Sequence, residues 1–375
     1  MEGRFSKLSS ILTVAFLAVI FGGFFLLKLV TAAPDIIRSE RRIPAALPEL
    51  SVKNVFSAEF MRRFDSYATD NYPMRENLRT LHAACVFGLF FQSDKDGLYT
   101  DAYGAGAFTQ VDVGAVEQTA NMINTVVNRL DGAGMNVYYS IIPEKSFYSD
   151  RYLPGYDHRL AECHLKDFSG FEGYTYIDIT GALNAESFYR TDFHWDQARI
   201  GAVVDTLCEA MGFDMSAGTL LEQPDYAGEF SGVYAGQTAL PIGTDSIMYF
   251  PCPSVNVMYL NAQTMEFEPG QVYKADAFSG LDAYDFFLSG IQSLVVLENQ
   301  DADTDRELYI FRDSFSSSLA PLLAGAYSKV VLVDLRYLSM SSLKRLIGIK
   351  PGSDVLFLYS TRILNDPTEL IGAFR

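Results

Sequence analysis

Apolar residues fill positions 8–33 almost without a break (LSSILTVAFLAVIFGGFFLLKLVTAA), a run longer than any that follows. A helix of that length crosses a bilayer. Lys28, near its end, can snorkel to the interface, and Arg4 and Lys7 set a positive tail before it. Arg38, Arg41 and Arg42 dilute that bias from the other side, so the outward orientation rests on the shortness of the tail. Thr31-Ala32-Ala33 also fits a cleavage site, but the run exceeds the usual apolar core of a signal peptide. The expected organisation is a cytoplasmic tail (1–7), a transmembrane signal anchor (8–33), a linker with Pro34, Pro44 and Pro48 (34–55), and an extracytoplasmic domain (56–375).

Beyond residue 56 the pattern becomes periodic. Phe60, Met61, Phe64 and Ala68 share one helical face, and a second helical pattern spans 75–91. Asp96-Gly97 marks a tight turn into a short strand at Leu98-Tyr99. Positions 113–130 form an amphipathic helix stopped by Gly132 and Gly134, followed by apolar strands at 136–142 (NVYYSII) and 174–179. Ile200, Val203, Val204, Leu207 and Met211 give another helix face. The stretch 217–278 is rich in Gly, Pro, Tyr and Thr with short alternating runs, and reads as a β-rich insertion or lid. Four continuous apolar runs close the chain, at 293–298, 307–311, 329–334 and 354–359, as expected of strands covered on both faces. The fold class is therefore α/β, with a parallel sheet flanked by helices.

Composition narrows the function. The 375 residues are 49% hydrophobic, enough for a large core, and carry a net charge of −17. That charge excludes nucleic acid and adhesion to anionic lipid headgroups, both of which need clustered cations. The 22 Tyr and 28 Phe fill core and sheet in the plainer reading, and line a sugar groove in the other. Cys85, Cys163, Cys208 and Cys252 lack zinc-ligand spacing; they allow one or two disulfides or stay free.

Chemistry concentrates at 187–197 (SFYRTDFHWDQ), which holds an acid, a histidine and the one tryptophan. In an extended segment, Asp192 and His194 project to the same side and can hydrogen-bond. The missing nucleophile is Ser314, after the strand-like run LYIF at 308–311. Working residues of open α/β sheets gather beyond the carboxyl ends of strands, so all three can share one edge. His194 would act as base, Asp192 as its orienter, and the Ser314 N–H as an oxyanion donor. The reaction class is acyl transfer or ester hydrolysis, with no cofactor. Two plainer readings compete: Ser314, Ser316 and Ser317 as helix caps, and Asp192, His194 and Asp196 as metal ligands. Trp195 reads as a packing anchor behind the histidine.

These stretches resemble the DHHW family of exported bacterial proteins, related to SGNH-hydrolase-like alginate O-acetyltransferases. The resemblance is carried by 48–75 (PELSVKNVFSAEFMRRFDSYATDNYPMR), 141–148 (IIPEKSFY), 191–196 (TDFHWD), 284–299 (YDFFLSGIQSLVVLEN) and 310–338 (IFRDSFSSSLAPLLAGAYSKVVLVDLRYL). It implies an SGNH-like fold outside the cytoplasmic membrane and a triad of Asp192, His194 and Ser314. It further implies acetylation or deacetylation of an envelope polysaccharide, and a membrane-bound O-acyltransferase partner that delivers acetyl groups. Three positions depart from the pattern: Phe193 replaces the first His, Arg312 replaces a Gly, and Ser289-Gly290-Ile291 lacks the Asn that would help bind the oxyanion. Gly290 and Ser314 would supply backbone donors instead. Losing one such donor costs roughly two to three orders of magnitude in rate, which gives the alternative of a catalytically silent polysaccharide-binding or envelope-assembly protein on the same fold.

Overall fold

The computed structural model describes residues 2–51, 55–130, 134–151, 173–213 and 223–374, together with Tyr156 and Lys166. They fall into two units, Met1–Phe90 and Phe91–Arg375. In the first, helix α1 (Glu2–Val30) contains one stretch, Ser10–Lys28, long and apolar enough to cross a membrane. Helix α2 (Ala58–Asp70) begins where the Ser57 hydroxyl accepts the Phe60 N–H at 3.1 Å. Helix α3 (Arg75–Ala84) runs into a π turn, Cys85–Leu89. Arg42 grips Asp70 through both guanidinium nitrogens, at 2.6 and 2.5 Å, and so pins the segment after α1 to the end of α2.

The second unit is built on an eight-stranded sheet in the order β4-β3-β12-β10-β11-β9-β7-β8. Its strands are β3 (Asn136–Ile142), β4 (Thr175–Tyr176), β7 (Val255–Leu260), β8 (Phe267–Pro269), β9 (Leu294–Asn299), β10 (Glu307–Arg312), β11 (Lys329–Val333) and β12 (Asp354–Ser360). A small hairpin, β1 (Leu98–Asp101) and β2 (Gly104–Ala107), stands apart from it.

Alternation along the strands supplies two cores. Leu308 and Ile310 face one side, with Leu332, Leu356 and Leu358, and meet helices α5 (Gly201–Ala210) and α7 (Ser316–Leu323). Tyr309 and Phe311 face the other, with Val331, Val333 and Phe357, and meet α4 (Val113–Arg129) and α8 (Met340–Leu346). The continuous apolar runs follow from this, since both neighbours of a two-sided strand must be apolar.

The sheet is mixed rather than parallel. Strands β4, β3, β12, β10 and β11 run parallel, whereas β9 is antiparallel to β11, β7 to β9, and β8 to β7. Connection length decides this. A parallel return needs about a dozen residues, while only 300–306 separate β9 from β10, and 261–266 separate β7 from β8.

The stretch 217–278 is correspondingly divided. Residues 217–222 lie outside the described residues. Strands β5 (Asp225–Phe230) and β6 (Asp245–Tyr249) pair with each other as a ribbon, whereas β7 and β8 extend the central sheet. Helix α6 (Val233–Thr238) lies between the ribbon strands. Cys85, Cys208 and Cys252 are free thiols, and Cys163 lies outside the described residues.

Candidate active site

Residues 187–196 form an irregular hairpin. Phe188 bridges Trp195, the Tyr189 N–H donates to the His194 carbonyl, and the Asp196 N–H donates to the Ser187 carbonyl. Asp192 and His194 do meet, but through a bend rather than an extended strand. One Asp192 oxygen accepts both the His194 backbone N–H (3.1 Å) and its Nδ1 (2.8 Å), an Asx-type turn that locks ring to carboxylate. The other oxygen accepts the Val233 N–H at 3.0 Å. That approach requires Gly232, where an added Cβ would lie 2.5 Å from the Asp192 Cβ.

The far side of the ring reaches the serine. His194 Nε2 lies 2.8 Å from Ser314 Oγ. A carboxylate only accepts, so Nδ1 carries the ring proton and Nε2 is left to accept the Ser314 O–H. Asp192 is 0% and His194 3% exposed, while Ser314 stays half-buried.

Ser314 sits at a turn between β10 and α7. Asp313 shapes that turn, accepting the Phe315 N–H at 3.1 Å and the Ser360 N–H at 2.7 Å. The Ser314 hydroxyl is thus directed to the histidine instead of capping the helix. Its N–H has no acceptor among the described residues. The Gly290 N–H, by contrast, donates to the Phe287 carbonyl at 3.2 Å. Gly290 follows Leu288 and Ser289 in a left-handed run with φ of 52°, 58° and 75° for the three residues. Ile291 is 71% exposed.

Aromatic rings clamp the imidazole. Tyr284 stacks on it at 3.7 Å and 7°, and donates its hydroxyl to Ser318 Oγ. Trp195, fully buried, donates Nε1 to the Phe315 carbonyl (2.9 Å) and Ser318 Oγ (2.8 Å), so it anchors the hairpin on the serine's own helix. Asp196 instead caps the turn Gln197–Arg199 by accepting the Ala198 N–H; burial lifts its carboxyl to about 6. Among the described residues no group of three His, Cys, Asp or Glu gathers as a metal site.

Several supports escape a linear reading because their partners are distant in sequence. Asp245 accepts the Arg190 and Thr191 N–H groups at 2.8 and 2.7 Å. Buried Lys145 donates to the carbonyls of Tyr103, Ala105 and Tyr189 at 2.9, 3.1 and 2.9 Å, binding the β1–β2 hairpin to the histidine hairpin. Burial pulls its ammonium down to about 8. Arg312, also buried, donates to the Asp313 carbonyl, Ser317 Oγ and the Gln292 carbonyl, joining the serine turn to the chain beyond Ile291. Of these the sequence marked only Arg312, as the residue in place of a Gly.

No protein-family model and no curated protein matches the chain. Solved structures do. A DHHW family protein from Eubacterium siraeum aligns with TM-score 0.58 and 19% identity, over 75% of this chain and 97% of that one. Bacillus cereus PatB1, solved with a sulfonyl adduct, aligns with TM-score 0.55 and 16% identity, over 73% and 97%. A second structure of Bacillus cereus PatB1 aligns with TM-score 0.54 and 15% identity, over 72% and 98%. At these identities the likeness is one of fold, an SGNH-like α/β arrangement.

Proposed function

We propose that this protein is an extracytoplasmic acyltransferase or esterase, anchored by α1, that adds or removes acetyl groups on a cell-envelope polysaccharide. The observation that carries the reading is the unbroken chain Ser314 Oγ, His194 Nε2, His194 Nδ1, Asp192, with 2.8 Å at both polar contacts.

In the first half-reaction Ser314 Oγ attacks the acyl carbonyl as His194 Nε2 takes its proton. Asp192 stabilises the imidazolium, and the Ser314 N–H meets the developing oxyanion. The leaving alkoxide collects the proton from His194. In the second half, water or a sugar hydroxyl gives its proton to His194, forms the new C–O bond, and releases Ser314 Oγ, which recovers the proton. Buried Asp192 and His194 confine that proton to one path. The captured sulfonyl adduct on PatB1 suggests the probe.

An arylsulfonyl fluoride should label full-length protein in detergent at Ser314, located by peptide mass spectrometry, and Ser314→Ala should abolish the label. An unmodified Ser314, under conditions that label a control esterase, sinks the proposal. In cells, a deletion strain should show altered O-acetylation of envelope glycans that wild-type protein restores and Ser314→Ala does not.

A further inference from the structure

Ser314 follows β10, in the middle of the sheet, and the edge is hollow on both sides of it. Over β3 and β12 lies a cavity of about 440 Å³, reached by Glu144 and Arg362 and walled by Phe193 and Phe315. Over β11, β9, β7 and β8 lies a larger groove of about 860 Å³, with Tyr259, Lys274, Ile291, Gln292 and Tyr337 in its walls. The antiparallel turn of the sheet brings that groove to the serine's edge. Pairing of Val333 with Leu294 and of Tyr259 with Val295 sets the start of β9 and the end of β7 beside the carboxyl ends of β10 and β11. From β10, which Ser314 follows, the strands under the groove are one to four strand spacings away, at about 4.8 Å each.

The lining is distinctive in a chain of net charge −17. One cation, Lys274, and one carboxylate, Glu268, balance each other. Tyr337 and Ile291 offer apolar surface to solvent, 54% and 71% exposed. Exposed apolar faces beside amide groups suit a sugar ring, which presents C–H faces and equatorial hydroxyls together. The walls are also rigid. The Tyr259 ring lies against Gly270, where a Cβ would come within 1.6 Å of it, and its hydroxyl donates to the Gln271 carbonyl. The left-handed residues Leu288 and Ser289 hold Ile291 outward, strain of a kind that collects at binding sites. Arg312 fastens the Gln292 carbonyl to the serine turn at 3.3 Å.

We infer that this groove holds the acyl acceptor, a neutral oligosaccharide segment lying across β9 and β7 with one hydroxyl directed at the acylated Ser314. The position where the SGNH pattern would carry an oxyanion Asn has, in this chain, become a groove residue, Ile291. The inference rests on the acyl-transfer reading for its reaction, though not for its binding.

Full-length Ser314→Ala protein, in a detergent without a sugar headgroup, is to be titrated by calorimetry with cellohexaose and chitohexaose, and with an oligogalacturonate hexamer as the acidic counterpart. At least one neutral hexamer should bind more tightly than the acidic one. Adding Tyr337→Ala or Ile291→Asp should weaken binding by about tenfold, and Tyr337→Phe should keep it within about threefold. Unchanged thermal unfolding shows that each variant is folded, and two variants guard against loss of one. No binding of either neutral hexamer, affinity indifferent to both substitutions, or tighter acidic binding lost in Arg362→Ala overturns the inference. Failure of Ser314 to take the sulfonyl label in the wild-type protein, with Tyr337-dependent binding intact, would sink acyl transfer and leave the groove as a glycan site.

Discussion

The two flanks of Ser314 are fixed by opposite means. On the flank that holds His194, position is set by hydrogen bonds to charged groups: Asp192 accepts from the His194 N–H, His194 Nδ1 and the Val233 N–H, Asp245 takes the Arg190 and Thr191 N–H groups, and Lys145 gives three from a buried ammonium. On the flank beyond Arg312, apart from that guanidinium's contact with the Gln292 carbonyl, position is set by backbone conformation, with Leu288 and Ser289 held left-handed and Ile291 turned to solvent. On the proposed acyl-transfer reading, proton transfer explains the division. A base must be held to a fraction of an ångström and its charge answered, which only oriented donors and acceptors achieve. A surface that meets a neutral polymer needs shape, and a strained turn supplies shape without adding charge.

If that contrast is right, charge substitutions on the first flank should act on rate and conformational ones on the second should act on stability. The largest effect belongs to Asp192→Asn, whose amide would donate to the ring and favour the wrong tautomer. Hydrolysis of a small aryl acetate should fall by about 10⁴-fold, with a loss of stability of about 1–3 kcal/mol because the buried amide nitrogen must face an N–H group. A drop under tenfold would mean Asp192 is only a structural clamp. Next, Asp245→Ala frees the Arg190 and Thr191 N–H groups, and urea unfolding should show a loss of about 2 kcal/mol together with slower hydrolysis. Equal rates would detach Asp245 from the site.

Glu144, which follows β3, offers a test through pH. Burial raises its carboxyl from the ordinary 4.5 to about 7, against weaker opposition from Thr109, Tyr156, Ser146 and Arg362. The unfolded chain therefore loses this proton first, so stability contributed at low pH is lost as pH rises from about 4.5 to 7. Glu144→Gln should flatten that fall in urea titrations at pH 5 and 7.5; parallel profiles for both proteins would refute it. The smallest effect is a gain. Ser289→Gly relieves a φ of 58° and, against its cost in unfolded-chain entropy, should add at most about 0.5–1 kcal/mol. A loss would mean the Ser289 side chain, not its backbone, holds the turn.

Much of this was legible in the sequence. The strands of the sheet's centre announced themselves, because a strand covered on both faces is apolar at successive positions. Asp192 and His194 were legible because their contact is local, though the bend that joins them was not, being made by the carboxylate folding back on the backbone. Ser314 could be matched to them because strand ends share an edge. What the pattern could not carry was direction and distance. Whether β9 runs up or down depends on the brevity of 300–306, which hydrophobicity does not register. Tyr284 stacks on His194 and Val233 bonds Asp192 across gaps in sequence that no periodicity spans. Nothing in the pattern marked Lys145 as buried, since its three carbonyl partners come from two other hairpins.

Among the described residues the sheet ends in β4, a two-residue strand, on one side and in the three-residue β8, closed by Pro269, on the other. Short margins leave few unpaired N–H and C=O groups, and proline removes one more donor, so neither side offers a template on which a second sheet could grow. The consequence is for crowding: many copies of a Val- and Leu-rich sheet can be concentrated at one surface without polymerising edge to edge.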